Sequence, residues 1–294
     1  MKIGIIGGGA TGLLMAAYLG VSHEVTVFVR RLEQQEDLMC HGVRLNSEES
    51  ATRVKSEQLN NIKADQDVIF VCVKQPDIPE VIATLSRLQM TAPLVFLQNG
   101  LGHLRQLTMI KGASLTGVVN HGAIRKNNVT VHHTGQGNIK IAYEEEKQFE
   151  ITLVTSLSNP DFPIYASGRK DEVLKEKLIV NAVINPLTAL FNVKNGEVIS
   201  NPYINNMARQ LCLEACAILH MDADTQWALI QNIVRKTAGN TSSMLMDVMR
   251  ARPTEIDAIT GYLIEQTGSG QSNELNRFVH HAIHALQIEK GGKA

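Results

Sequence analysis

Apolar residues fall in short runs along the first half of the chain and at helical spacing along the second. Lys2–Ile6 is an apolar run that stops at Gly7-Gly8-Gly9, and a pattern of small residues at helical spacing follows to about Leu19. Glu24-Val25-Thr26-Val27-Phe28-Val29 is rich in β-branched residues and predicts a second strand. Strand, glycine turn, helix and strand in this order make a βαβ unit. Asp67–Val73 is almost continuously apolar, as a strand buried on both faces must be. Leu94–Leu97 and Leu115–Val119 repeat that texture, with a helical pattern at Ile78–Leu88 among them. The alternation predicts an open, mostly parallel sheet with helices on both faces. Val129–His133 and Ile139–Tyr143 flank the turn cluster Thr134-Gly135-Gln136-Gly137-Asn138, which predicts an antiparallel hairpin at the far edge of the sheet.

The texture changes after about residue 170. Helical patterns cover Asp171–Phe191, Tyr203–His220, Asp224–Ala238, Glu255–Thr267 and Ser272–Glu289, and strand patterns stop. The predicted fold class is therefore α/β: an N-terminal Rossmann-type, doubly wound parallel sheet over 1–168 and a C-terminal all-helical domain over 169–294. The boundary is set at Ser167-Gly168-Arg169, and the tail Lys290–Ala294 is expected to fray.

Composition narrows the function classes. A chain of 294 residues with 44% hydrophobic residues can bury two cores, and 4% aromatics means that aliphatic side chains build them. With 28 basic and 29 acidic residues and no basic block, the balance argues against nucleic acid as the main partner, and an anionic ligand must be met by local groups. Cys40, Cys72, Cys212 and Cys216 form no CxxC pair; they read as free thiols, which suits a reducing cytoplasm. Met1–Ile6 carries one Lys and no cleavage site, and no apolar run is long enough to span a bilayer. The expectation is a cytoplasmic protein, monomer or homodimer, whose partner is a small molecule rather than a membrane.

Gly7-Gly8-Gly9-Ala10-Thr11-Gly12 matches G-x-G-x-x-G between a strand and a helix, the context that makes this pattern specific for a dinucleotide. Gly7 permits the tight turn, Gly9 lets backbone approach a pyrophosphate, and Gly12 lets helix and strand pack closely. The helix N-terminus then faces the phosphates. At the end of the second strand, where an acidic residue would bind a ribose 2′-hydroxyl, stand Arg30-Arg31. A guanidinium accommodates a 2′-phosphate, so NADPH is favoured; the same arginines could also be solvated surface charges. Lys74, Asn99-Gly100 and His121-Gly122-Ala123 follow the third, fourth and fifth strands, at the edge where open α/β sheets bind ligands, although Asn99-Gly100 also fits a plain turn.

In the run Lys175–Leu190, Lys177, Asn181 and Asn185 fall at i, i+4 and i+8 and form one polar stripe among apolar neighbours. Asparagine is a poor helix former, so two of them here need a reason. The stripe is either a ligand-binding face, a solvated face, or a pair of core amides bonded to backbone. His280 and His284 share a helix face at a spacing that could hold a metal, but no third ligand stands near them in sequence, and an exposed face is the plainer reading. Trp227 reads as core or interface.

The run Lys177-Leu178-x-x-Asn181-x-x-x-Asn185-Pro186-Leu187-Thr188-Ala189 resembles the signature of the ketopantoate reductase family. Asn195-Gly196-Glu197, Ser242-Ser243-Met244-Leu245 and Arg252-Pro253-Thr254-Glu255-Ile256-Asp257 are similar to its later motifs, and the glycine turn, Arg30, Lys74 and Asn99-Gly100 fall where the family has counterparts. The resemblance covers about residues 1–270 and departs from the family pattern at Pro253 and Thr260. It implies NADPH-dependent reduction of 2-dehydropantoate to (R)-pantoate in pantothenate biosynthesis. By the same resemblance Lys177 would be the general acid, and Asn181 and Asn185 would bind the substrate's hydroxyl end. Ser243, and more weakly Asn240, would meet its carboxylate. Asn99 would touch cofactor and substrate, Glu255 the ribose or nicotinamide side, and Lys74 and Ala123 would line the cofactor cleft. No metal is needed for this chemistry. Two rivals are a reductase of other branched 2-oxo acids to D-2-hydroxy acids and a non-catalytic NADPH sensor.

Overall fold

The computed structural model describes residues 1–46, 49–88, 90–110 and 112–291. The chain forms two compact units, one of residues 1–98 and 103–173, the other of residues 99–102 and 174–294.

The first unit contains β1 (Lys2–Ile6), α1 (Ala10–Leu19), β2 (Glu24–Val29), α2 (Leu32–His41), β3 (Val43–Leu45), β4 (Ala51–Thr52), β5 (Lys55–Gln58), β6 (Val68–Val71), α3 (Ile78–Ser86), β7 (Leu94–Phe96), β8 (Ser114–Val119), β9 (Gly122–Arg125), β10 (Thr130–Gly135), β11 (Ile139–Tyr143), α4 (Gln148–Thr155) and β12 (Ile164–Arg169). Its main sheet has the order β12-β11-β8-β7-β6-β1-β2-β5. All neighbours pair in parallel except β8 and β11. The period of two along each strand divides the buried side chains between two cores. Ile3, Ile5, Val68, Phe70, Val95 and Leu115 join Leu13, Leu14 and Met15 of α1 in one cluster. Ile6, Ile69, Val71, Leu94 and Phe96 join Ile78, Val81, Ile82 and Leu85 of α3 in the other. A sheet covered on both faces explains why its central strands are apolar without alternation. The chain runs outward from β1 through β2 to β5 and then returns to β6 on the other flank of β1, so the order reverses beside the glycine turn.

The expected hairpin is not formed. β10 pairs with β9 and β3 in a separate four-stranded sheet, β4-β3-β10-β9, whereas β11 joins β8 and β12 in the main sheet. The turn between them hands the chain from one sheet to the other. Asn120 N–H donates to Asn138 O at 2.8 Å, which registers the start of β11 against the end of β8.

The second unit is helical: α5 (Lys170–Phe191, which opens in the first unit), α6 (Glu197–Ser200), α7 (Pro202–Leu219), α8 (Ala223–Lys236), α9 (Ser243–Met249), a π-helical turn (Asp257–Gly261), α10 (Tyr262–Gln266) and α11 (Glu274–Glu289). Side-chain caps start several of these helices: Asn201 on α7, Asp222 on α8 and Ser242 on α9 each accept from a first-turn N–H. The buried carboxylate of Glu214 accepts from Leu275 N, Asn276 N and Asn276 Nδ2, which fixes the first turn of α11 on α7 and places negative charge at its N-terminus. Among the described residues, no helix is long and apolar enough to cross a membrane.

Candidate active site

The glycine turn of the first unit is shaped by backbone approach. Gly7 has φ +115°, and a Cβ on Gly12 would overlap the Gly7 carbonyl oxygen, so neither position accepts a side chain. A Cβ on Gly9, by contrast, would meet no atom within 4 Å. Gly9 caps α1, whose first turn carries no acidic residue. Its dipole is therefore not neutralised locally, and the open space beside Gly9 fits an anionic pyrophosphate. The Gly8 carbonyl accepts from Gln34 Nε2 at 2.8 Å and from Arg125 Nη1 at 3.3 Å. Neither residue stood out in sequence, because both reach the turn from distant elements.

Arg30 stands just past β2 and is held by both oxygens of Asp77, at 2.7 and 3.3 Å. The arginine is 60% exposed. Exposed pairs contribute at most about 1 kcal/mol, so a phosphate dianion can displace Asp77. Arg31 is committed elsewhere, donating to Asn128 Oδ1 at 2.6 Å. Lys74 is exposed and precedes the short 3-10 helix Gln75–Asp77, and Ala123 lies in β9 opposite His133.

The second unit gathers Asn99, Lys177, Asn181 and Glu255. The stripe on α5 is buried, since Asn181 and Asn185 are only 7% and 8% exposed, and this removes the solvated-face reading. Asn181 Nδ2 donates to Asn99 Oδ1 at 3.5 Å, and Asn99 Nδ2 donates to Glu255 Oε2 at 3.1 Å. The side chain of Asn185 hydrogen-bonds to none of the described residues. Lys177 is half-buried. Desolvation pulls its pKa below the ordinary lysine value, while the Glu255 carboxylate opposes that shift. Burial is the larger influence.

Backbone fit holds this group. Gly100 has φ +77°, and a Cβ there would overlap Ala258 O and lie 2.8 Å from Ala258 Cβ. Leu101 N–H donates to the same Ala258 carbonyl at 3.3 Å. The Asn99–Gly102 segment is thus seated on the π-helical turn that begins two residues after Glu255, which is why Asn99 reaches that carboxylate. Gly100 is accordingly no plain turn residue.

Ser243 is exposed at the first position of α9, and Asn240 is half-buried just before that helix. Their sequence neighbour Ser242 does the structural work: its Oγ accepts from Leu245 N at 3.1 Å and from Thr188 Oγ1 at 2.7 Å. This ties α9 to the turn of α5 that follows Asn185. Among the described residues, neither Ser243 nor Asn240 hydrogen-bonds to the Lys177 group. The chemistry available is that of a desolvated ammonium, a carboxylate and three amides, which can bind an oxygen-rich anion and deliver a proton to one of its oxygens.

Residues 3–146 match the family model described as ketopantoate reductase PanE/ApbA, and residues 171–287 match its C-terminal counterpart. The chain is 39% identical to the 2-dehydropantoate 2-reductase of Bacillus subtilis (strain 168), over 98% of each chain. It is 33% identical to that of Listeria monocytogenes, again over 98% of each. A crystal structure of panE from Bacillus subtilis superposes with a TM-score of 0.87 at 38% identity, covering 97% of this chain and 100% of that one. D-mandelate dehydrogenase with NADH and anilino(oxo)acetate shares the fold, with a TM-score of 0.90 at 19% identity over all of both chains.

Proposed function

This chain belongs to the ketopantoate reductase family and is an oxidoreductase, and from that premise we propose that it reduces 2-dehydropantoate to (R)-pantoate with NADPH. The observation that carries the reading is the desolvated Lys177 beside Glu255, with the half-buried amide of Asn99 bonded to the buried amide of Asn181.

In this reading the Gly7–Gly12 turn and the N-terminus of α1 hold the pyrophosphate, and Arg30 exchanges Asp77 for the 2′-phosphate. Lys74 and Ala123 line the nucleotide's path. The bound nucleotide supplies the hydride, which arrives at the ketone carbon. Negative charge grows on the ketone oxygen, where the Lys177 ammonium stabilises it and gives up a proton from Nζ. Burial makes that proton easier to give, and Glu255 keeps enough of the lysine protonated to give it. Asn181 and Asn185 bind the hydroxyl end of the oxo acid, and an unsatisfied buried amide such as Asn185 discriminates strongly against a substrate lacking that hydroxyl. Ser243, with Asn240 nearby in sequence, meets the carboxylate. Asn99, already bonded to both Asn181 and Glu255, sets the distance between the amides and the acid.

The test is steady-state kinetics on a panel of branched 2-oxo acids, with NADPH and NADH. The proposal expects the highest kcat/KM for 2-dehydropantoate with NADPH. A clear preference for oxo acids without the 4-hydroxyl would instead make the protein a D-2-hydroxy-acid dehydrogenase. Tight nucleotide binding without turnover of any member would make it a sensor.

A further inference from the structure

His280 and His284 lie one turn apart on α11, and the fold brings Asp257, the first residue of the π-helical turn, to both. His284 Nε2 is 2.9 Å from Asp257 Oδ1, and His280 Nε2 is 3.6 Å from the same oxygen. The ligand-capable atoms of the three residues all fall within 4.8 Å of one another. In sequence the pair lacked a third partner; Asp257 supplies it from 23 positions before His280.

The other nitrogen of His280 faces Thr260. Thr260 Oγ1 lies 3.2 Å from the Ile256 carbonyl, to which its hydroxyl can donate. His280 Nδ1, 3.1 Å from Thr260 Oγ1, can then donate to that oxygen. In that tautomer a neutral His280 presents a bare Nε2 lone pair to a carboxylate oxygen. Two electron-rich atoms in that relation are reconciled by a shared cation, either a proton or a metal ion.

We propose that Asp257, His280 and His284 form a binding site for one divalent transition-metal ion of the Zn²⁺ class, liganded by the two Nε2 atoms and the Asp257 carboxylate. Ligands about 2.0–2.1 Å from a tetrahedral zinc stand about 3.3 Å apart, and the two observed separations from Asp257 Oδ1 bracket that value. Imidazole with carboxylate suits this class of ion, and Thr260 provides the outer hydrogen bond that ligating histidines use to hold their orientation. The carboxylate is 76% exposed, so an ion can enter from solvent and complete its shell with water. The site uses none of the residues proposed for oxo-acid reduction and stands or falls separately from that reading.

The full-length protein, stripped with a chelator, is titrated with ZnCl₂ by calorimetry and with Co²⁺ by visible absorption. The expected result is one saturable ion per chain and a ligand-field spectrum of nitrogen and oxygen donors. His280→Ala, His284→Ala and Asp257→Asn should each weaken binding at least as much as the roughly 10–100-fold that loss of an outer-shell partner costs. Saturating Zn²⁺ should raise the Tm of the wild type and not of these variants. Absence of saturable binding overturns the proposal, as does a thiolate charge-transfer band, which would place the ion on a cysteine. Weakening by both histidine variants with none from Asp257→Asn also overturns it, since that describes a two-histidine surface chelate. The wild-type cobalt spectrum decides between nitrogen and thiolate donors even if a variant fails to fold.

Discussion

Replacing Lys177 by methionine separates catalysis from stability. The side chain keeps most of its length and an apolar stem but loses the ammonium, the one group placed to protonate the developing alkoxide. A positioned acid contributes about 10²–10⁴-fold, equivalent to about 2.7–5.5 kcal/mol of transition-state stabilisation, and kcat should fall by that factor. Folding should move the other way or not at all. Desolvation already lowers the lysine pKa, so the charged form is held in the folded state at a cost that exceeds the help from Glu255. Methionine removes that cost, and the thermal midpoint should stay level or rise while activity collapses, as is common where a site is built against stability. Nicotinamide oxidation under saturating oxo acid gives kcat, calorimetry gives the midpoint, and fluorescence titration should show nucleotide affinity nearly unchanged. Turnover within about tenfold of wild type would remove Lys177 as the acid. A large fall in the midpoint would mean that the ammonium is a structural partner and the desolvation argument is wrong.

Glu255→Gln removes the carboxylate that raises the Lys177 pKa. Activity needs protonated lysine and is lost as pH rises through its pKa, so the alkaline limb of kcat/KM should move to lower pH; an unmoved limb would disconnect the two residues. Gly100→Ala combines a left-handed φ with overlap on Ala258, about 2–5 kcal/mol together, and should lower both the urea midpoint and kcat/KM. A variant as stable and active as wild type would show that the seat of Asn99 is dispensable. Arg30→Ala should raise the KM for NADPH far more than that for NADH, and equal effects would refute the 2′-phosphate assignment. His121, desolvated and beside His133, has its pKa pulled from 6.5 down to about 4. The unfolded chain binds the extra proton first, so stability is full above pH 6.5 and declines as pH falls toward 4. Urea midpoints across that range should fall less steeply in His121→Asn than in wild type.

The parallel sheet was legible because strands buried on both faces leave no polar alternation, as in Val68–Val71. The stripe on α5 was legible because asparagine inside an apolar helix is unfavourable without a partner. What escaped depends on contacts distant in sequence or on backbone fit. The small sheet β4-β3-β10-β9 uses strands as short as the two residues Ala51–Thr52, too brief to show a period, and it took β10 away from the expected hairpin. The π-helical turn reads as ordinary helix in Asp257-Ala258-Ile259-Thr260-Gly261, so the seating of Gly100 on Ala258 had no local signal. Ser242 and Ser243 are indistinguishable by type, and only the cap geometry separates the buried one from the exposed one.

The helical unit borrows four residues, Asn99–Gly102, from the middle of the sheet-forming sequence. A gene fragment beginning at Leu174 would therefore encode helices without the amide that bridges Asn181 and Glu255. On the ribosome the same four residues emerge long before α5 and the π-helical turn exist to receive them. The seating of that loop therefore waits for Ala258 to be made, and complementing a truncated C-terminal fragment with a short synthetic peptide spanning the loop is a direct way to watch it.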